Sequence, residues 1–203
     1  MKITAIVLAG GKSLRLGRNK AMESVLGKRL IERVVDRVRP LASQLLIVTS
    51  EEQTDLPPLE KTKVLIDIYP GKGPLAGIYT GLLAARYSQS IVVGCDMPFL
   101  NTGLLRFMAE QSRGFDIVIP RLSQQIVEPL HAVYAKSCLD RIKAQLEYNR
   151  LEIHALLNAL RTRYIEKEEY QRFDPRFLSF LNINNQADLD RAIALASEDR
   201  QAE

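Results

Sequence analysis

Tryptophan is absent from the sequence, and cysteine and histidine occur only twice each. Two histidines are too few for a histidine-rich metal site. Cys95 and Cys138 match neither a metal-ligand spacing nor a disulfide framework. Cys95 ends the apolar run SIVVGC and reads as a buried, reduced thiol. No apolar run approaches the roughly 20 residues needed to cross a bilayer. The opening MKITAIVLAGG has a single lysine and a short apolar run without a small-residue cleavage site, so it reads as a first strand and not as a signal peptide. A cytoplasmic location is expected. Interleaving of aromatic and basic residues, which single-strand nucleic-acid binders use, is also missing. Neither nucleic acid nor a membrane is expected as a partner.

What is present suits one soluble core. The 203 residues are 46% hydrophobic and 26% charged, ordinary values for a single domain. Residues 1–197 are expected to form that domain, with 198–203 (EDRQAE) as a polar tail that frays. The net charge of +4 favours acidic partners without choosing among them. Apolar β-rich runs recur at wide spacing as ITAIVLAG, QLLIVTS, KVLIDIY, SIVVGC and FDIVIP. Between them, RLIERVVDRVRPL repeats its apolar positions Leu30, Ile31, Val34, Val35 and Val38 at helical spacing. Continuous apolar strands alternating with amphipathic helices predict a three-layer α/β/α sandwich, Rossmann-like, with a mostly parallel sheet. TDLPPLEKT reads as a surface loop, CLDRIKAQLEY as a helix and VEPLHAVY as a strand. Near the end, FLNI predicts a last strand carrying Asn182 and Asn184, and NQADLDRAIALAS a final helix with polar capping residues.

The chemistry gathers in LAGGKSLRLGRNK, residues 8–20, directly after the first strand. A P-loop needs a glycine five residues before Gly11, where Ile6 stands, and the spacing of Gly10, Gly11 and Gly17 misses the dinucleotide fingerprint. What remains is a glycine turn and a basic loop at the carboxyl end of a strand, where open α/β sheets bind ligands. Gly10 and Gly11 can present backbone N–H groups to an anion. Arg15 can grip a phosphate through two parallel hydrogen bonds, and Lys20 supplies a compact charge. A solvated basic loop is the competing account. Asp96 ends the buried run IVVGC and faces the same crevice, where a hard cation needs only one or two carboxylates besides phosphate oxygens; a turn cap is the alternative there. Met97 and Pro98 read as shape-setting. In GPLAGIYTGLLAA, Gly77 and Gly81 predict close helix-to-sheet packing. His131 and His154 read as structural.

LAGGKSLRLGRNK resembles the signature of the MobA-like nucleotidyltransferases, among them the guanylyltransferases of the molybdenum cofactor, with Leu16 for the usual Met and Asn19 for the usual Asp. DIYPGKGPLAGI (67–78), GCDMPFL (94–100), EPLHAVY (128–134) and FLNINNQADL (180–189) resemble that family's later landmarks in the same order. The resemblance implies the nucleotide-diphospho-sugar transferase type of the fold. It also implies transfer of GMP from GTP to the terminal phosphate of molybdopterin, with release of pyrophosphate and Mg²⁺ as cofactor. Leu8, Ala9, Gly10, Gly11, Lys20, Asp67 and Asp96 would bind GTP, with Asp67 at the guanosine. Arg15, Lys20 and Asp96 would be catalytic, and Asp96 would hold the metal. Asn182 and Asn184 would serve the pterin side, turn and capping duty being the other account of them. Transient contact with other cofactor-biosynthesis proteins or with target molybdoenzymes is implied too. Alternatives are a cytidylyltransferase for the same cofactor, a sugar-phosphate nucleotidyltransferase, and a nucleotide-binding regulator or cofactor-delivery protein. The glycine pair AGG, where cytidylyl relatives have AAG, favours guanine.

Overall fold

The computed structural model describes residues 2–10, 20–50 and 56–201, the side chains of 199–201 excepted. Seven strands make one sheet: β1 (Thr4–Leu8), β4 (Gln44–Thr49), β5 (Thr62–Ile66), β6 (Gln89–Gly94), β7 (Ile117–Pro120), β8 (His131–Ala135) and β9 (Thr162–Ile165). Their order is β5-β4-β1-β6-β8-β7-β9, and only β8 runs antiparallel to its neighbours. The two-residue strands β2 (Ser24–Val25) and β3 (Lys28–Arg29) form a separate small hairpin.

Alternate residues of the buried strands serve opposite faces, as the period of two requires. Ala5 and Val7 of β1 join the core under helices α1 (Leu30–Val38) and α3 (Thr102–Glu110). Ile6 and Leu8 join the core under α2 (Pro74–Ala84) and α4 (Leu139–Glu147), next to α5 (Ile153–Ala159). The predicted apolar face of α1 is buried at all five positions, Leu30, Ile31, Val34, Val35 and Val38. Its first turn is closed by Glu32, which accepts the Arg29 N–H at 2.8 Å. Asn101 caps α3 by accepting the Leu104 N–H at 2.9 Å. The packing predicted for α2 is direct: a methyl at Gly81 would lie 2.5 Å from Ile6 Cγ2, and one at Gly77 3.2 Å from both Leu8 methyls.

The last third departs from expectation in two places, and at one of them the residues expected to fray are helical as far as Gln201. FLNI is not a strand: Leu178–Phe180 form a short 3-10 turn, and the chain runs on without ladder pairing into α7 (Gln186–Gln201). The physical reason lies in its bonding. The Ile183 N–H donates to the Asp96 carbonyl at 3.0 Å, and the Asn184 N–H to the Asp188 carboxylate at 2.8 Å, so this backbone is committed to a turn and a helix cap. Asn185 accepts the Asp188 N–H at 3.0 Å and begins the helix. α7 packs Leu189, Ala192 and Ala196 with Val25, Leu30, Phe99 and Ile183 in a third, smaller core. The segment α6 (Lys167–Tyr170) closes the far end of the first core.

Strand order positions the site. From β1 the chain moves outward to β4 and β5, then crosses back to lay β6 on the other side of β1. The carboxyl ends of β1 and β6 therefore flank a topological switch point, where open α/β sheets bind their ligands.

Candidate active site

A cavity of about 200 Å³ opens at that switch point. Leu8, Ala9 and Gly10 from the end of β1 form one wall, and Gly94, Cys95 and Asp96 from the end of β6 form the other. The Cys95 N–H donates to the Leu8 carbonyl at 3.0 Å, which stitches the two walls together beyond the last ladder pair. Lys20 and Ala21 close one side, and Pro74 at the start of α2 and Leu130 before β8 close the others.

Lys20 and Asp96 meet across the cavity, with Nζ 3.4 Å from Oδ2 and each side chain about 20% exposed. Lys20 also donates to Asn184 Oδ1 at 2.5 Å. The lysine thus lies between an acidic oxygen and an amide oxygen, poised for an anion that outbids both. Gly94 makes room for the carboxylate, because a methyl there would fall 2.6 Å from Asp96 Oδ1. Burial pushes the Cys95 thiol well above its usual range, so it stays protonated and lines the wall as an apolar group.

The predicted residues divide as follows. Leu8, Ala9, Gly10, Lys20, Asp96 and Asn184 gather around one cavity. Gly11 and Arg15 fall outside the described residues. Asp67 stands past the end of β5, at the same edge of the sheet but two strands from β1, and its Oδ1 accepts the Tyr69 N–H at 3.1 Å and the Thr80 hydroxyl at 2.9 Å. Asn182 turns to Glu128 instead, donating to its carboxylate at 3.4 Å. Neither asparagine lies on a strand, for the bonding reason given above. A methyl on Gly10 would meet the Ser50 nitrogen at 3.2 Å and the Thr49 carbonyl carbon at 3.4 Å. The glycine therefore serves close approach of β1 to the end of β4, a role the AGG argument had not included.

Among the described residues no group of three or more His, Cys, Asp or Glu could hold a metal by itself. A hard cation here would take one protein carboxylate and complete its shell from phosphate oxygens and water, which suits Asp96. His131 is fully buried against Phe180 at 5.1 Å between ring centres, and His154 lies on the outer side of α5.

The model of the MobA-like NTP transferase domain matches residues 5–164. The chain belongs to the MobA-like NTP transferase family. Within the MobA-like family, a molybdenum cofactor guanylyltransferase from Desulfosudis oleivorans is 35% identical over 195 residues, covering 95% of both chains. The crystal structure of molybdopterin-guanine dinucleotide biosynthesis protein A from Archaeoglobus fulgidus superposes with a TM-score of 0.82 at 29% identity, over 97% of this chain and all of that one. The fold alone is shared with 2-C-methyl-D-erythritol 4-phosphate cytidylyltransferase from Thermus thermophilus, with a TM-score of 0.73 at 19% identity, over 97% of this chain and all of that one. The MobA-like fold is thus the nucleotidyltransferase sandwich that the motifs implied.

One residue lining the cavity, Gly94, and one bonded to its surroundings, Glu128, escaped the sequence reading. Gly94 opened a recognised motif, GCDMPFL, but no pattern in the sequence told of the space it leaves for a side chain two residues on. Glu128 stood inside a recognised motif, EPLHAVY, yet a carboxylate before a strand reads as a turn residue. Its Oε1 accepts the Leu130 N–H at 3.2 Å, and burial, with Asp96's charge adding to it, raises its carboxyl above the usual range.

Proposed function

We propose that this protein transfers GMP from GTP to the terminal phosphate of molybdopterin, releasing pyrophosphate and forming the guanine dinucleotide form of the cofactor. The observation that carries the reading is the meeting of Lys20, Asp96 and the Leu8–Ala9–Gly10 turn around one cavity at the switch point. Residues 1–197 act as one nucleotidyltransferase unit in this reading.

A phosphate monoester is largely ionised near neutral pH, so its oxygen attacks the α-phosphorus without a general base. The new P–O bond forms as the bond to the bridging α–β oxygen breaks, and the electron pair leaves with pyrophosphate. Catalysis then consists of alignment and charge neutralisation. In this reading Ala9 and Gly10 set backbone against the triphosphate, and Leu8 shapes the floor. Lys20 leaves Asn184 and Asp96 for the phosphate oxygens and takes up developing negative charge. Gly11 and Arg15 are assigned to phosphate binding by their places in the family signature. Asp67 orients the guanosine from the β5 side, and Asn182 and Asn184 serve the pterin side. A divalent cation is the general requirement of nucleotidyltransferases of this kind; we assign it as Mg²⁺ held by Asp96, where it would supply charge neutralisation at the α-phosphate. Among the described residues no helix is long and apolar enough to cross a membrane. A cytoplasmic location is part of the proposal. Transient hand-over to other cofactor-biosynthesis proteins or to molybdoenzymes belongs to the same proposal.

A nucleotide panel tests it. Pyrophosphate release is measured with molybdopterin, Mg²⁺ and each of GTP, CTP, ATP and UTP. GTP is expected to give the highest kcat/KM. CTP ranking first overturns the guanylyl assignment, and nucleotide binding without pyrophosphate from any of the four overturns the enzyme reading.

A further inference from the structure

Glu128 stands two residues before Leu130, which lines the cavity that must receive phosphates. Its backbone neighbourhood fixes it there. The Leu130 N–H donates to Oε1 at 3.2 Å, and the Leu130 carbonyl accepts the Gly94 N–H at 3.1 Å, so the carboxylate is fastened to the β6 wall of the cavity. Its Oε2 receives the Asn182 amide at 3.4 Å. Asn182 is two residues from Asn184, which holds Lys20, and the Ile183 N–H between them is bonded to the Asp96 carbonyl. One short segment therefore links Glu128 to the Lys20–Asp96 centre.

Among the described residues no cationic side chain is paired with Glu128. Its negative charge opposes the approach of a triphosphate or a phosphate monoester, and half-burial strengthens that repulsion. The carboxylate is useful to a substrate only through a part rich in N–H donors. Strand order says which substrate. Asp67 stands past the end of β5, the Lys20–Asp96 pair between β1 and β6, and Glu128 before β8, all at one edge of the sheet ordered β5-β4-β1-β6-β8. With the nucleoside on the Asp67 side of the phosphate centre, the second substrate occupies the Glu128 side.

We propose that Glu128 binds the pterin of the second substrate, accepting hydrogen bonds from the ring N–H and amino group of its 2-amino-4-oxopyrimidine edge. This rests on the reading of molybdopterin as that substrate. Guanine carries the same donor edge, so the shared chemistry is one carboxylate facing two parallel N–H donors, and the experiment must separate the two sources.

Wild type and Glu128→Gln are compared in three titrations: molybdopterin under anaerobic conditions without nucleotide, followed by its fluorescence; GTP with Mg²⁺; and Mn²⁺ with GTP, followed by electron paramagnetic resonance. Glutamine keeps the volume and one acceptor oxygen but loses the charge and turns a donor toward the ligand. Molybdopterin is expected to bind about 10–100-fold more weakly, while GTP and Mn²⁺ affinities change by less than about twofold. Glu128→Asp, which keeps the charge and withdraws it by one methylene, replaces the glutamine variant if that one fails to fold, and the same selective loss is expected. Unchanged molybdopterin affinity overturns the proposal whatever happens to Tm. A loss confined to GTP assigns Glu128 to guanine, and a loss confined to Mn²⁺ assigns it to the metal; both overturn it. Wild-type protein that binds GTP but no molybdopterin overturns the substrate reading itself, a failure visible without any variant.

Discussion

A methyl group at position 94 would fall 2.6 Å from Asp96 Oδ1, closer than any relaxed contact allows. The carboxylate is the flexible partner, so it would swing rather than the strand. Gly94→Ala is expected to fold, to keep its GTP affinity and to raise the Mg²⁺ concentration for half-maximal turnover by about tenfold, with kcat largely recovered at saturating metal. A metal titration of activity, paired with a melting curve, reads this. An unchanged metal requirement would show that Asp96 holds no cation in the conformation seen here. Asp96→Ala takes the same logic further: Mg²⁺-dependent turnover should drop by about 10²–10³-fold while Tm moves by only a few degrees. Lys20 keeps its hydrogen bond to Asn184 Oδ1 when the Asp96 carboxylate is removed, so the ammonium is not left without a partner.

At the scale of elements, α2 shows how a helix is brought down onto a sheet. Gly81 faces Ile6, a β-branched side chain at 0% exposure whose Cγ2 lies 2.5 Å from the missing methyl. Gly77 faces the ends of Leu8 at 3.2 Å, which can rotate aside. Alanine gains roughly 1 kcal/mol of helix propensity at either place, and overpacking costs about 1–3 kcal/mol. Gly81→Ala should therefore lose stability and Gly77→Ala should stay near neutral. Denaturant midpoints at constant m-value test the order of the two, and Gly81→Ala at or above wild-type stability would contradict this packing. Helix α1 was legible because it carries a period, and it buries all five positions that its spacing marked. FLNI misled for a physical reason. Its apolar residues suit a strand, but the Ile183 N–H is taken by the Asp96 carbonyl and those of Phe180 and Leu181 by the Phe177 and Leu178 carbonyls, so no ladder forms. Lys20 and Asn184 are 164 residues apart and join through a hydrogen bond that no local pattern announces. Glu128 and Gly94 were hidden for the same reason, since both act on groups outside their own segment.

Across the whole molecule, acid acts on two buried points. His131 has 0% exposure, and among the described residues neither ring nitrogen has a hydrogen-bond partner. Burial lowers its pKa to about 4, against 6.5 ordinarily. The unfolded chain therefore binds a proton that the native state refuses, so this contribution is fully present above pH 6.5 and is lost as pH falls toward 4. Between pH 7.5 and pH 5 it amounts to about 2 kcal/mol. Asp116 acts lower on the scale. Its hydrogen bonds from Arg161, with Ser137 adding another, hold its pKa at about 2. Those bonds tie the start of β7 to the segments beside β8 and β9, and their contribution is present above pH 3.8 and lost as pH falls toward 2. Because Arg161 is largely exposed, that second loss is on the order of 1 kcal/mol. Glu128 works in the opposite sense, since its raised pKa favours the native state at low pH. His131→Leu isolates the first effect: it removes the titrating ring while keeping an apolar side chain against Phe180. Urea unfolding of both proteins at pH 7.5 and pH 5 should show wild type losing about 2 kcal/mol more than the variant over that interval. Equal losses would mean that the native state takes up the proton at His131, and that the ring is solvated in a way its complete burial does not allow.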